Sequence, residues 1–287
     1  MTQGLSRKSL VIMVAAAAIL MITMGIRQSM GLFIAPIIDT THLGYAAMSF
    51  AMAVGQLMWG AAQPTFGALA DRFGPYRTLL AGALMMAVGS ALTPLATNEF
   101  AIIATIGVLT AAGAGAGSFG VLIGVVAQKV PPEKRSVASG FVNAGGSLGQ
   151  FVFAPLNQFL ISSVTWMGAM WAMAVASLAT IPLARKLTGS TEASLAVAAQ
   201  HASSALTMRE QLAIAARDKS YWCLHAGFFT CGFHIAFLVT HLPGEVKLCS
   251  LPATFARPMM DSELAATAAG RLQSFTSPGR CVTRKAM

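Results

Sequence analysis

Residues 67–77 read GALADRFGPYR and join two long apolar blocks, residues 45–69 and residues 78–97. Two glycines, a proline and three charged side chains in so short a stretch are typical of a tight turn. The apolar runs on either side are long enough to cross the roughly 30 Å hydrocarbon core of a bilayer as helices. The pattern therefore predicts two membrane-spanning helices joined by a short polar loop.

The composition extends this interpretation to the whole chain. Of 287 residues, 55% are hydrophobic and 10% are charged, whereas a soluble domain carries about 25% charged residues. This excludes a soluble globular protein, and so much apolar surface excludes a disordered one. The formal charge is +9, but the 19 basic residues are spread between apolar blocks and form no continuous basic face. We expect a lipid bilayer, and no nucleic acid, as a partner.

The apolar runs are continuous and do not alternate, which excludes strands, because an open sheet cannot satisfy its backbone in lipid. We therefore predict an all-α polytopic membrane protein. Its predicted spans, numbered first to seventh in chain order, cover approximately residues 10–37, 45–69, 78–97, 99–127, 136–161, 165–184 and 220–242.

The basic residues of the loops predict the orientation. The loops around Asp39, Glu99 and Ser163 contain no Lys or Arg, so that side of the membrane is predicted to be outside. We expect a multi-pass protein of the plasma or inner membrane with a cytoplasmic N-terminus. The twelve basic residues on the other side are Arg7, Lys8, Arg72, Arg77, Lys129, Lys134, Arg135, Arg185, Lys186, Arg209, Arg217 and Lys219.

Four segments follow from these spans. Residues 1–185 are predicted to form a six-helix bundle, 186–219 a cytoplasmic loop and 220–245 a seventh helix. Residues 246–287 carry six basic and two acidic side chains on the predicted outer side, against the charge rule. We expect this last segment to lie outside the fold and to be disordered, either as the end of a truncated or frameshifted product or as an extracellular tail.

The loop between the second and third spans carries a more specific signal. Gly67, Asp71, Arg72 and Gly74 belong to a G-x-L-A-D-R-x-G motif, which Arg77 follows. The motif resembles the loop motif of the major facilitator superfamily of transporters. The resemblance implies that Asp71, Arg72 and Arg77 form a gating latch between helix bundles. On physical grounds alone, Gly67 is expected to let helices approach closely and Gly74 to permit a tight reversal.

A second resemblance lies at the start of the fifth span, where residues 134–149 read KRSVASGFVNAGGSLG. Lys134, Arg135, Gly140 and Gly145 match the KRxxAxGxxxAG pattern of the monocarboxylate transporter branch of that superfamily and its bacterial, oxalate–formate antiporter-like relatives. The resemblance implies a secondary carrier of a small organic anion such as a monocarboxylate, with a proton as a candidate coupling ion. Two six-helix halves of such carriers alternate access to a central site. This chain would supply the first half and one further helix.

Arg27 is the one basic residue inside the first six predicted spans. At about 1.5 Å per residue it lies some 26 Å along the first span, in the outer half of the bilayer. A charged side chain there costs at least about 2.5 kcal/mol on insertion scales. We expect Arg27 to bind a substrate carboxylate, since the spans contain no acidic partner for it. Snorkelling towards the outer headgroups is the alternative.

Polar residues seven positions apart form one stripe on the second span and another on the fifth. Lipid offers such stripes no hydrogen-bond partner, so they face either a cavity or a neighbouring helix. We predict that Gln56, Asn143 and Gln150 bind substrate together with Arg27; hydrogen bonds between helices are an equal alternative. The two stripes consist of Ser49, Gln56 and Gln63, and of Ser136, Asn143, Gln150 and Asn157.

Catalytic and cofactor signals are weak. Residues 115–120, GAGSFG, match a dinucleotide fingerprint, but no strand precedes them, and we expect no cofactor. The glycine pairs 113/117 and 120/124 are instead predicted to allow close helix packing. The histidines of the seventh span, at 225, 234 and 241, could serve a metal or a proton relay, but packing is the favoured interpretation and no metal is predicted. The sequence contains no catalytic triad, paired carboxylates or phosphate loop, so we expect that the protein is not an enzyme.

Two other functions stay open at this point. One is efflux of drugs or metabolites by a carrier of the same superfamily, which would favour an acidic residue in the cavity. The other is a membrane fragment that does not transport. The oligomeric state is undecided, because glycine packing motifs serve folding and association equally well.

Overall fold

The computed structural model describes residues 7–188 and 208–248, and every regular element in these ranges is helical, which confirms the predicted all-α membrane fold. In chain order the helices are Arg7–Gln28, Met30–Phe33, Ile34–Thr41, Tyr45–Phe73, Pro75–Leu92, Thr93–Leu95, Glu99–Ile102, Ile103–Thr110, Ala111–Ala116, Phe119–Lys129, Pro132–Lys134, Arg135–Leu178, Thr180–Thr188, Met208–Arg217 and Lys219–Leu248.

Helices occupy all seven predicted spans, although not all of them are equally apolar. The second span, Tyr45–Phe73, is 29 residues long but carries polar residues along its length. Within the described ranges, the helical stretches that are both long and apolar enough to cross a membrane are Ser9–Thr41, Pro75–Leu95, Glu99–Lys129 and Pro132–Thr188. The last of these has 57 residues, more than twice the roughly 20 that one crossing needs, and it contains the fifth and sixth spans.

Thr165 separates the fifth span from the sixth. Its backbone angles of φ 81° and ψ 162° are not helical, and a β-branched residue at positive φ is strained. Just before it, the hydroxyls of Ser162 and Ser163 bond to the carbonyl of Phe159 at 2.9 and 2.8 Å. Hydroxyls that compete for helix carbonyls in this way favour bends and helix ends.

The first span lies in the middle of the bundle. Its side chains Ala16, Ile19, Leu20 and Ile26 are all less than 3% exposed. Ile26 belongs to the hydrophobic cluster towards the predicted non-cytoplasmic end of the bundle, called the outer end below. The other three lie in a second cluster towards the predicted cytoplasmic end, called the inner end. Near the start of the span, Leu10, Val11 and Val14 are 47–48% exposed. The span is therefore buried over most of its length, which accounts for a largely apolar sequence.

The first and fifth spans pack tightly in a constant register. A Cβ added at Gly145 would lie 2.8 Å from the Cα of Ala17, and one added at Gly149 would lie 2.8 Å from the Cα of Met21. One turn further on, Phe153 packs against Gly25. Residues 128 positions apart therefore face each other, and both helices run in the same direction. Glycine at 145 and 149 is what permits this close backbone approach.

The prediction about the glycines of the fourth span is correct for one pair and wrong for the other. Gly113 packs against the backbone of Met86, and Gly117 packs against Thr23. Added Cβ atoms at Gly120 and Gly124, by contrast, would meet no atom of the described ranges within 4 Å, and the same holds for Gly67. These last glycines border a cavity, so the expected close helix packing at Gly67, Gly120 and Gly124 is not observed.

The seventh span forms a helix, Lys219–Leu248, within the described ranges. Residues 189–207 of the predicted cytoplasmic loop, and residues 249–287 of the predicted tail, lie outside the described residues.

Candidate functional site

Arg27 lies at the end of helix Arg7–Gln28 and is held by neutral groups. Its Nη1 donates to Oε1 of Gln28 at 3.0 Å, and its Nη2 donates to Oε1 of Gln56 on the second span. The guanidinium carbon lies 3.8 Å from the centre of the Trp59 ring, a cation–π contact. No carboxylate within the described ranges pairs with it. The side chain thus turns towards the second span and does not snorkel outwards.

The second span positions these partners by helical spacing. Gln56 and Trp59 are three residues apart on one helix, so they share a face and meet the same guanidinium. The Nε1 of Trp59 is buried and has no hydrogen-bond partner in the part of the chain that the structure describes. An unpaired indole N–H beside a charged group is costly in a membrane interior, and it leaves a donor available at this position.

A small cavity of about 40 Å³ adjoins Arg27 between the first, second and fourth spans. That volume has room for a water or a group of a few atoms. Its wall includes the fourth span where that span is π-helical, from Ile103 to Thr110. The lining residues are Arg27, Gln28, Met30, Gly31, Met52, Gly55, Gln56, Ile106, Thr110 and Ala111.

The two other predicted substrate residues lie at other depths. In the 128-residue register, Arg27 is level with position 155 of the fifth span. Gln150 lies about 7.5 Å and Asn143 about 18 Å from that level, at 1.5 Å per residue. Asn143 is exposed and Gln150 is half-buried. The structure therefore brings Gln56 to Arg27, but it does not place Asn143 in the same site.

Asn157, the last member of the fifth-span stripe, is fully buried and joins two spans. Its Nδ2 donates to Oγ of Ser29 at 2.7 Å, and Ser29 in turn donates to the carbonyl of Gly25 at 2.8 Å. Here the alternative of hydrogen bonds between helices is the correct one. The Oδ1 of Asn157 is buried, and no described residue forms a hydrogen bond with it.

The loop motif between the second and third spans is exposed at the predicted cytoplasmic end of the bundle. Gly74 has φ 86°, so the predicted tight reversal is confirmed, because positive φ favours glycine. Asp71, Arg72 and Arg77 are exposed. Within the described ranges no ion pair joins Asp71 to either arginine, while Arg72 lies 5.3 Å from the Phe73 ring. The predicted gating latch stays a prediction.

The residues of the branch motif have different environments. Gly145 packs against Ala17, whereas Gly140 faces open space. Lys134 is half-buried and Arg135 is exposed at the start of the fifth span. In this structure Gly145 is a packing residue, and the spacing within the motif gave no sign that Gly140 would differ from it.

Lys129, which the sequence analysis used only for orientation, ties two spans together. Its Nζ donates to the carbonyls of Leu187 and Thr188 at 2.8 and 2.6 Å. A cation at the last carbonyls of a helix satisfies unpaired acceptors and complements the helix dipole. The inner end of the fourth span thus caps the helix that ends the sixth span.

A larger cavity, of about 450 Å³, lies between the inner halves of the second and fourth spans. The fourth span is broken beside it: Gly117 and Ser118 leave helical geometry, with ψ of 23° and 162°, before helix Phe119–Lys129 begins. No motif signalled the break. The lining residues are Gln63, Pro64, Gly67, Ala70, Asp71, Pro75, Ser118, Gly120, Val121, Gly124, Val125 and Gln128.

The histidines of the seventh span do not form a metal centre with other described residues. Among the described residues no group of three or more His, Cys, Asp or Glu side chains could hold a metal ion. His225 is exposed, and its Nδ1 lies 2.9 Å from the carbonyl of Tyr221. The side chains of His241 and Glu245 lie outside the described set.

Comparison with known proteins now adds to this geometry. Residues 11–271 match the sequence profile of the Major Facilitator Superfamily. The chain belongs to the major facilitator superfamily. The match confirms the resemblance of the loop motif, and this superfamily consists of membrane transporters. It also runs past residue 246, where the sequence analysis placed the start of a segment outside the fold.

Individual relatives in the superfamily match about half of the chain. The oxalate:formate antiporter of Oxalobacter formigenes is 33% identical over 153 residues, which cover 53% of this chain and 35% of that protein. Monocarboxylate transporter 13 of Bos taurus is 28% identical over 154 residues, 54% of this chain and 36% of that protein. Apicoplast pyruvate carrier 1 of Toxoplasma gondii is 29% identical over 115 residues, 40% and 19%. The chain thus aligns with about a third or less of the length of these relatives.

Proposed function

We propose that this chain takes part in carrier-type transport of a small organic anion such as a monocarboxylate, and that Arg27 binds the carboxylate of that anion. The observation that carries the proposal is the neutral pairing of Arg27. A guanidinium has five N–H donors, and the two bonds to Gln28 and Gln56 leave the others available. Its positive charge, uncompensated by described residues and beside a small cavity, favours an anion.

The surroundings of Arg27 would orient it for this role. The guanidinium carbon lies over the Trp59 ring, 3.8 Å from its centre, in a cation–π contact that holds the planar group. Gln56 accepts a bond from one nitrogen of the guanidinium, and a carboxylate could accept two parallel bonds from the remaining N–H groups. The names of the relatives, which refer to oxalate, formate, monocarboxylates and pyruvate, support the same chemical class.

We also infer that the basic end of the bundle is cytoplasmic, in a plasma or inner membrane. Support comes from contacts that gather basic side chains at one end: Lys129 caps the end of the sixth span, and Arg185 donates to the hydroxyl of Tyr76 at 2.9 Å. A cluster of this kind at one membrane face follows the positive-inside rule.

The test is binding of ¹⁴C-oxalate and ¹⁴C-formate to the full chain in lipid nanodiscs, measured by scintillation proximity. Arg27→Gln is expected to weaken binding about 10-fold or more, because a hydrogen bond to a charged group contributes about 1.5–3 kcal/mol. Arg27→Lys should have an intermediate effect, since it keeps the positive charge but loses the planar guanidinium that can bind a carboxylate through two N–H groups.

Arg185→Gln is a matched control. Arg185 also lies over an aromatic ring and donates to a neutral partner, but it is exposed at the other end of the bundle. Equal binding by wild type and Arg27→Gln would remove the proposed role of Arg27. Uptake of the same anions by proteoliposomes that contain the chain then tests transport; a well-folded chain that binds but produces no flux would contradict transport by this chain.

A further inference from the structure

In the described part of the chain, two cavities lie along the groove between the second and fourth spans. The outer one adjoins Arg27, and Arg27 does not line the inner one. Between them the two helices touch: a Cβ added at Gly115 would lie 2.7 Å from the Cβ of Ala62 and 3.3 Å from the carbonyl of Trp59. The inner cavity, of about 450 Å³, begins below this contact. It has its own polar groups, and the proposed function above does not use them.

The fourth span is interrupted at the top of the inner cavity. The break at Gly117 and Ser118 starts a new helix of 11 residues, Phe119–Lys129. The first N–H groups of any helix lack carbonyl partners within that helix, and in a membrane interior such groups require a partner. The amide of Leu122 is the first to bond back, to the carbonyl of Ser118 at 3.1 Å.

Ser118 adds an independent observation. It stands at the N-cap position, where a serine usually accepts a bond from the first turn, but its side chain makes no such bond. The residue is 0% exposed, and its buried Oγ has no hydrogen-bond partner among the described residues. Ser118 lines the inner cavity. The Ser118 hydroxyl is therefore an unused hydrogen-bond donor beside the N-terminus of helix Phe119–Lys129, which is the positive end of its dipole.

Two glycines in the wall of the cavity leave space that larger side chains would fill. Gly120 and Gly124 line it one turn apart, and Cβ atoms added to either would meet no atom of the described residues within 4 Å. Close packing against a described helix therefore does not explain these glycines. They leave room directly beside the start of helix Phe119–Lys129.

We propose that the start of this helix is a second binding site, for a small carboxylate, separate from Arg27. The Ser118 hydroxyl and the free N–H groups of the first turn bind the carboxylate oxygens, as helix N-termini bind anions generally. The break in the fourth span provides the site, because an unbroken helix at this depth would have all of these N–H groups bonded.

The charge of Asp71 opposes an anion in the same cavity, but from its far end. The contact between Gly115 and Ala62 makes Ser118 level with about residue 65 of the second span. Asp71 lies six residues further on, about 9 Å along the helix, and its side chain is exposed. Across that distance in water the repulsion corresponds to about a twofold loss of affinity. Asp71→Asn is therefore expected to strengthen binding about twofold at low salt and to have no effect near 1 M salt, where the Debye length is about 3 Å.

The decisive experiment measures binding of ¹³C-formate by NMR line broadening to the full chain in nanodiscs, in an Arg27→Gln background that removes the outer site. Residual binding is expected. Gly124→Leu should abolish it by filling the cavity, and Ser118→Ala should weaken it about fivefold, as the loss of one hydrogen bond predicts. Gly60→Leu is the matched control, since Gly60 also faces open space but does not line the cavity.

Each outcome decides something. Absence of residual formate binding in the Arg27→Gln background, or residual binding that Gly124→Leu leaves unchanged, overturns the second site. Binding by wild type that Arg27→Gln alone abolishes would overturn the second site and retain the proposed function. Wild-type affinity that Arg27→Gln leaves intact and Gly124→Leu removes would retain the second site and refute the role of Arg27. Size-exclusion profiles and circular dichroism establish that each variant is folded.

Discussion

Gly145→Ala tests the close packing of the first span against the fifth. An added Cβ at residue 145 would lie 2.5 Å from the carbonyl oxygen of Ala17 and 2.8 Å from its Cα and Cβ. Ordinary carbon–carbon contacts need about 3.5–4.0 Å, so the first span must move by about 1 Å. The obstructing atoms are mostly backbone, which cannot rotate away.

Overpacking of this kind costs about 1–3 kcal/mol. Gly140→Ala is the matched control: it makes the same substitution in the same helix and the same motif, but at a position that faces open space. There the alanine should be neutral or add up to about 1 kcal/mol of helix stability. The free energies of unfolding of the two variants should therefore differ by about 1–4 kcal/mol.

The assay is unfolding by sodium dodecyl sulfate from mixed micelles, followed by circular dichroism, with wild type and both variants measured under identical conditions. A midpoint for Gly145→Ala clearly below that of Gly140→Ala is expected. Equal midpoints would refute the close approach of the first and fifth spans, and with it the 128-residue register from which the depths of Gln150 and Asn143 are derived.

Three further predictions concern other contacts. Lys129→Met should destabilise the end of the sixth span by about 0.5–1.5 kcal/mol, seen as faster hydrogen exchange at residues 185–188, while the exposed Lys186→Met should leave that exchange unchanged; equal exchange in both would contradict the cap. Asn157→Ala should lower the free energy of unfolding by about 1–3 kcal/mol, because it removes a buried hydrogen bond and leaves a void, and Ser29→Ala should lower it less; no change in Asn157→Ala would argue against the bond. Asp71→Asn should change stability by less than about 0.5 kcal/mol, since its carboxylate is exposed without an ion pair in the described ranges; a larger loss would indicate a structural role.

The spans were predictable because a bilayer restricts what a chain can do. Twenty or so apolar residues must be a helix, and the loop motif at 67–77 then identified the superfamily. The separation of the fifth and sixth spans at Thr165 also fell where polar residues interrupt the apolar run. Such features depend on average hydropathy and local turn chemistry, both of which a sequence displays directly.

The candidate site was predictable only in part. The charge of Arg27 and the polar stripe that contains Gln56 predicted that these two residues share a site. The fifth-span stripe did not reveal that Asn143 lies at another depth. That depends on the register between two helices, which Gly145 and Gly149 set through backbone contacts. The break at Ser118 was missed because glycine pairs look alike in sequence whether a helix packs on them or a cavity borders them.

The break at Gly117 and Ser118 also separates the inner part of the fourth span from the rest of that span, so that it can tilt as a rigid helix. Helix Phe119–Lys129 has 11 residues, about 16 Å of length, and its far end is clamped to the final carbonyls of the sixth span through Lys129. A tilt of about 10° at the break would move that clamp by about 3 Å, given the same length. Any such tilt would be transmitted to the end of helix Thr180–Thr188.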